Sequence, residues 1–257
     1  MTSIIVTNDD GYTAPGILAL AQSMQSLGDV QVAAPSINQS ASGHKKTLYQ
    51  DMEYERTTIG DGIPTLAVNA SPADCIAVAA LGLVDWAPDI VVSGINRGAN
   101  MGQDLTYSGT VTAALEASIH GVPAIAVSLS NHEADDIQDY QIATQVIIPI
   151  VKKVLFYGLP PFTILSVNVP NVASLDDIKG IRLTRQGVRV YLDQIREVNG
   201  NIVRIEGDPP VGNVDEMGTD LWAVHRNYVS VTPVHLDMTA HQLMADLDAW
   251  DIQLPRE

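Results

Sequence analysis

The first apolar run, Ile4-Ile5-Val6, is short, β-branched and uninterrupted, and it stops at Asn8-Asp9-Asp10-Gly11. This pattern predicts a strand that is apolar on both faces and ends in a tight turn. Pro15 suits the first turn of a helix running through Leu18, Leu20, Ala21 and Met24 to about Leu27. Val30-Gln31-Val32-Ala33-Ala34 is the next strand, stopped by Pro35. A β-α-β unit of such strands predicts a mostly parallel sheet covered by helices. After a polar loop the rhythm resumes with a helix from Pro72 through Ile76, Val78 and Ala79 to Leu83, then a strand over 89–93. A Gly- and Asn-rich loop spans 94–109, and Thr110 begins a small-residue helix to about His120. Strands over 124–128 and 163–167 flank a helix over about 139–156. The last third reads differently, with a strand over 181–184, a loose hairpin of 188–198 and 202–206 about Asn199-Gly200-Asn201, a strand over 228–232 and an amphipathic helix over 239–250. The hairpin has no helical partner in the pattern, so it is expected to pack on another subunit.

Composition narrows the picture. The 257 residues suffice for one large domain with a substantial core, filled mainly by Val, Ile, Leu and Ala because only two Phe are present. Lys and Arg number 14 against 30 Asp and Glu, a net charge of −16. So acidic a chain is poorly suited to duplex nucleic acid, which is held by neutralising many phosphates with basic side chains. An anionic ligand would need help from a metal or from backbone N–H groups. Cys75 is the only cysteine, which excludes an intrachain disulfide and a Cys-rich metal site and marks Cys75 as a small core residue. The N-terminus lacks the basic n-region of a signal peptide, and no apolar run reaches membrane-spanning length. The expected location is the cytoplasm.

In an open α/β sheet, ligands bind beyond the carboxyl ends of the strands. Asn8, Asp9 and Asp10 follow the first predicted strand; Asn38, Gln39, Ser40 and Ser42 follow the second; Ser93, Asn96, Asn100 and Ser108-Gly109-Thr110 follow the strand over 89–93. Two adjacent carboxylates repel each other, so a cation would explain their place in one turn, and oxygen-only ligands select hard ions such as Mg²⁺, Mn²⁺ or Ca²⁺. Asp-Asp-Gly is also a common plain turn or helix cap. Ser108-Gly109-Thr110, before a helix, reads either as an ordinary cap or as a phosphate site. The stretch 94–102 is neither a dinucleotide fingerprint nor a P-loop. Ser42-Gly43-His44 forms a candidate substrate loop; the remaining histidines show no ligand spacing, and Trp86, Trp222 and Trp250 read as packing anchors.

Taken in order, the loops resemble the survival protein SurE family of 5′/3′-nucleotidases. The resemblance rests on Asn8-Asp9-Asp10-Gly11 with Ala14-Pro15-Gly16, Gln39-Ser40-Ala41-Ser42-Gly43, Pro72-Ala73-Asp74-Cys75, Ser93-Gly94-Ile95-Asn96-Arg97-Gly98 and Tyr107-Ser108-Gly109-Thr110-Val111. Gly218-Thr219-Asp220-Leu221-Trp222-Ala223-Val224 and Tyr228-Val229-Ser230-Val231-Thr232-Pro233 extend it to the C-terminal part. One departure is Ala70-Ser71, where the family has Gly-Thr; Ser71 keeps the hydroxyl. The resemblance implies a Rossmann-like three-layer core over residues 1–180, with 181–257 completing it and supplying a hairpin and helix for oligomerisation. It implies hydrolysis of nucleoside 5′- and 3′-monophosphates and one divalent metal, Mg²⁺ or Mn²⁺, held by Asp9, Asp10, Ser40 and Asn96. Asn8, Ser108, Gly109 and Thr110 would contact the phosphate. The family forms dimers or tetramers by exchanging C-terminal elements. Short polyphosphate or sugar phosphates remain alternative substrates, and a nucleotide-sensing module without turnover remains an alternative of another class.

Overall fold

In the computed structural model, which describes residues 1–207, 210–250 and 253–254, strand β1 (Ser3–Thr7) is buried on both sides. Ile4 and Val6 enter one apolar layer and Ile5 the other. Helix α1 (Pro15–Met24), β2 (Asp29–Pro35), β3 (Tyr54–Ile59), β4 (Ile63–Val68) and α2 (Pro72–Val78) follow. Then come β5 (Ile90–Arg97), the single turn α3 (Asp104–Tyr107), α4 (Gly109–Ile119), β6 (Ala124–Leu129), α5 (Gln141–Tyr157) and β7 (Thr163–Val169). The C-terminal third contains β8 (Ile181–Leu183), β9 (Arg189–Val190), β10 (Gln194–Asn199), β11 (Ile202–Glu206), β12 (Val211–Gly212), α6 (Asp220–His225), β13 (Val229–His235) and α7 (His241–Asp248).

Nine strands form one sheet in the order β3-β4-β2-β1-β5-β6-β7-β13-β8. Pairing is parallel except for β3 with β4 and β13 with β7. The chain leaves β1 for β2 on one side and reaches β5 on the other, so the strand order switches direction at β1. A crevice opens beyond the carboxyl ends at such a point. Ile17, Leu20 and Met24 of α1 and Val146, Ile147 and Ile150 of α5 cover one face. Ile76 of α2 and Val111 and Leu115 of α4 cover the other. Each fully buried aliphatic side chain of this kind contributes about 1.5–3 kcal/mol relative to exposure, so both helical layers hold the switch point rigid. The parallel, helix-covered architecture anticipated from the apolar runs is present.

Several elements differ from the sequence expectation. The polar stretch after β2 contains β3 and β4. β3 is the sheet edge and exposes Tyr54, Glu55, Arg56 and Thr58, so its composition resembles a loop. The helix expected to reach Leu83 ends at Val78 and passes into a wide turn, Ala79–Leu83, where Gly82 has φ 112. The expected strand over 188–198 divides: Arg189–Val190 pairs with Val211–Gly212, and only Gln194–Asn199 pairs with Ile202–Glu206. Trp250, expected as a packing anchor, is 66% exposed, because α7 buries no side chain. Cys75 is a core residue as anticipated.

The loop after β2 is fastened from below. The Thr47 N–H and hydroxyl donate to Asp74 at 2.7 and 2.8 Å, and Ser71 Oγ donates to the Lys45 carbonyl at 2.7 Å. Ser71 also caps α2 in a reciprocal box with Asp74, so it fully serves the role that Thr would have there. Thr112 Oγ1 donates to the Gly43 carbonyl at 2.9 Å. Buried Glu116 of α4 meets Lys46 Nζ at 2.7 Å and His44 Nε2 at 3.0 Å.

Burial raises the Glu116 carboxyl, but hydrogen bonds from His44 and Lys46 outweigh it and hold the group at about 2. A carboxyl lowered from 4.5 adds stability above that value and loses it as pH falls toward about 2. Glu116→Gln should therefore unfold at lower denaturant than wild type at pH 7, and the difference should shrink between about pH 5 and pH 3. A gap that widens on acidification in that range would refute the buried pairing.

Candidate active site

The carboxyl end of β1 delivers Asn8, Asp9 and Asp10 into the crevice. Asn8 Nδ2 donates to the Gly11 carbonyl at 2.9 Å and closes the turn. The loop after β2 folds back onto this turn: the Gln39 N–H donates to the Asp9 carbonyl at 2.7 Å, and Asn38 Nδ2 donates to Asp10 Oδ1 at 3.3 Å. The Ser40 N–H donates to Asn38 Oδ1 at 2.9 Å, which fixes the approach of Ser40. From the other side, the register between β5 and β6 shifts between Ser93 and Asn96. Such a bulge re-aims the side chain that follows it. Asn96 Nδ2 donates to the Gly98 carbonyl at 2.7 Å, and the Arg97 N–H donates to Asp10 Oδ2 at 3.2 Å. Asp9, Asp10, Ser40 and Asn96 thereby line one cavity of about 760 Å³.

Asp9 is 3% exposed and lies against the start of α4. The Thr110 hydroxyl donates to Asp9 Oδ1, and the Thr110 N–H also bonds the carboxylate. A β-carbon at Gly109 would come 2.7 Å from Asp9 Cβ, 2.9 Å from Pro72 and 2.9 Å from Ser42 Oγ, so only glycine allows this approach. Burial pushes the Asp9 carboxyl up to about 6; the Thr110 bond opposes the shift and the neighbouring Asp10 charge adds to it. Burial also raises Asp10, against the N–H of Arg97. Neither aspartate forms an ion pair among the described residues.

The donor set is specific. Among the described residues no group of three or more His, Cys, Asp or Glu is placed to hold a metal. Any cation here would meet two carboxylates plus neutral oxygens, which suits a hard divalent ion. Buried Asn8 Oδ1 and Ser42 Oγ, both beside this turn, have no hydrogen-bond partner among the described residues. Two desolvated carboxylates that form no ion pair among the described residues, beside unpartnered oxygens, fit such an ion.

The residues expected to contact phosphate divide into two groups. Ser108 lines the cavity, capping α4 through a 3.2 Å bond from the Val111 N–H. Asn8, Gly109 and Thr110 are buried behind it. Part of the helix start thought suited to phosphate is occupied by the Asp9 carboxylate. In the candidate substrate loop, Ser42 faces Gly109 and the Gly43 N–H donates to the Tyr107 carbonyl at 2.9 Å. His44 turns to Glu116 and does not line the cavity. Sequence reasoning assigned no role to other residues that line the same cavity, among them Asp104, Tyr107, His132, Tyr191 and Asp193. Asp104 and Tyr191 meet across 87 residues, and no short motif signals such a pairing.

Comparison with known proteins agrees with this geometry. The family model described as survival protein SurE matches residues 4–193. A protein of Chloroflexus aggregans named 5′-nucleotidase SurE is 41% identical, over 96% of this chain and 98% of its own. One of the same name from Syntrophotalea carbinolica is 44% identical, over 97% of each. The crystal structure of the SurE protein from Aquifex aeolicus superposes with a TM-score of 0.81 at 39% identity, covering 97% of this chain and 100% of that one. With its ordered loops, its sheet and nearly its whole length matched, the chain belongs to the survival protein SurE family.

Proposed function

We propose that the protein is a metal-dependent phosphomonoesterase that hydrolyses nucleoside 5′- and 3′-monophosphates. The observation that carries this reading is the pair of desolvated aspartates, engaged in no ion pair among the described residues, at the switch point of a sheet whose family relatives bear the name 5′-nucleotidase. Asp9, Asp10, Ser40 and Asn96 would hold one Mg²⁺ or Mn²⁺ per subunit. With its amide N–H engaged by Gly98, Asn96 has its Oδ1 for the ion. A divalent ion there supplies Lewis acidity, neutralising phosphoryl charge and lowering the pKa of coordinated water.

The chain's own residues supply the positioning. Thr110 holds the Asp9 carboxylate in one orientation, and Asn38 and the Arg97 N–H do the same for Asp10. Ser108, the residue of the α4 start that lines the cavity, orients phosphate oxygens there. Either aspartate can take a proton from the attacking water. The exposed apolar residues of the β10–β11 hairpin, among them Ile195, Ile202 and Ile205, support a homodimer or homotetramer with exchanged C-terminal elements. The lone, buried Cys75 fits a reducing cytoplasm, and no helix among the described residues is long and apolar enough to cross a membrane.

Asp9→Asn should lower Mn²⁺-dependent phosphate release from a mixed nucleotide panel by on the order of a hundredfold or more. Its metal-free melting temperature should match or exceed wild type, because the change removes a desolvated charge. Wild-type turnover in this variant would sink the assignment. Nucleotide-induced stabilisation of wild type without any phosphate release would favour a sensor instead.

Cation binding needs ionised carboxylates. With Asp9 raised to about 6, protons compete with the ion below that pH. Calorimetric Mn²⁺ affinity should be nearly flat from pH 8 to 7 and fall roughly tenfold per unit below about pH 6. A flat profile down to pH 4.5 would exclude a ligand aspartate raised to about 6.

A further inference from the structure

His132, in the loop after β6, is the one imidazole among the described residues that lines the cavity of Asp9, Asp10, Ser40 and Asn96. Its ring rests on Gly98. A β-carbon at that residue, where φ is 103, would come 2.3 Å from Cε1 and 2.4 Å from Nδ1, but 3.2 Å from Nε2. Gly98 is itself held on both sides: its N–H donates to the Leu129 carbonyl at 2.9 Å, and its carbonyl accepts Asn96 Nδ2 at 2.7 Å. One glycine therefore seats the imidazole and orients the Asn96 side chain. The loop of His132 is tied down at each end, by the Ser130 N–H to the Val169 carbonyl at 2.9 Å and by the Tyr140 hydroxyl to the Ala134 carbonyl at 3.2 Å. His44, His120 and His241 each meet a carboxylate, whereas the exposed His132 ring makes no hydrogen bond or ion pair among the described residues.

We propose that His132 is the general acid that protonates the leaving oxygen, a deepening that rests on the nucleotidase reading above. An alkoxide is a poor leaving group, and a positioned acid assists its departure. The other groups lining the cavity are unsuited to this. Asp9 and Asp10 serve the ion. Asp104 accepts the Tyr191 hydroxyl at 2.7 Å and Arg189 Nε at 2.9 Å, so the Tyr191 proton is committed to it. The Arg97 guanidinium does not release its proton, and a carboxylate such as that of Asp193 accepts protons. Phenols, as at Tyr107, are much weaker acids than an imidazolium. In the proposed step the water oxygen bonds to phosphorus as the P–O bond to the sugar breaks. The electron pair of that bond stays on the sugar oxygen, which takes the proton of the His132 imidazolium. The attacking water gives its proton to an aspartate and on to solvent, and His132 is reprotonated from solvent through the open cavity.

The test varies the leaving group. Phosphate release from adenosine 5′-monophosphate, ribose 5-phosphate and p-nitrophenyl phosphate is measured with Mn²⁺ for wild type, His132→Ala and His132→Gln. The first two substrates release the same alkoxide, with and without a base, and the third a phenolate that departs with little need of a proton. Both variants should lose roughly a hundredfold or more in kcat/KM on the two sugar phosphates, and at least about tenfold less than that on p-nitrophenyl phosphate. Calorimetric Mn²⁺ affinity should stay within about twofold of wild type, since His132 is not a ligand. Equal losses on all three substrates, or a large loss of Mn²⁺ affinity, would mark a structural role and overturn the proposal. A loss confined to adenosine monophosphate would mark a nucleoside contact and overturn it as well. So would wild-type turnover in His132→Gln, which keeps an N–H donor but cannot transfer a proton. Each of these results leaves the hydrolase assignment standing, whereas wild type that releases phosphate from none of the three would overturn both.

Discussion

A carboxylate in the position of Asp9, 3% exposed and next in sequence to a second one, has few tolerable surroundings. Here it is met by the hydroxyl and N–H of Thr110, with Gly109 allowing the contact. That single approach draws α4 onto the end of β1. Once α4 is there, Thr112 and Glu116 on the same helix can fasten the loop that carries Ser40 and Ser42. The desolvation of one aspartate thus organises three loops, and the charge left over is what makes the crevice a place for a cation.

The parts of the fold legible from sequence were those in which local pattern and tertiary demand coincide. Ile4-Ile5-Val6 and Ile90-Val91-Val92 are apolar throughout because both faces are covered, and the chain announces this directly. β3 and β4 are silent because one is a solvated edge and the other contains Pro64; the pairing of β4 with β2 and of β3 with β4 decides their state, and pairing is not a local property. Residues 189–190 fail for a similar reason, since their partner is Val211–Gly212.

The site divides along the same line. Asp9 and Asp10 sit just past the end of β1, Ser40 lies in the loop after β2 and Asn96 in the last residues of β5, so the order of strands sufficed to bring them to one cavity. The division of labour among Ser108, Gly109 and Thr110 was not legible, because only the packing shows that Thr110 serves Asp9 while Ser108 faces the cavity. His44 was misleading as a basic residue near the site: its partner Glu116 lies 72 positions away on α4. Tyr191 lay in a stretch that reads as an unpartnered hairpin and gave no hint that its hydroxyl would reach Asp104.

The placement of β13 between β7 and β8 has a consequence for how the chain emerges during synthesis. β7 is complete well before β13 exists, so its free edge, next to fully buried β6, stays unpaired while the intervening residues are made. β8 emerges early too, yet among the described residues its ladder in the sheet is with β13 alone. At roughly 5–20 residues per second the nascent chain carries this open edge for some seconds. The sheet closes by insertion of a late strand between two earlier ones, and interruption of translation before Val229 would leave a nearly finished protein with an adhesive border.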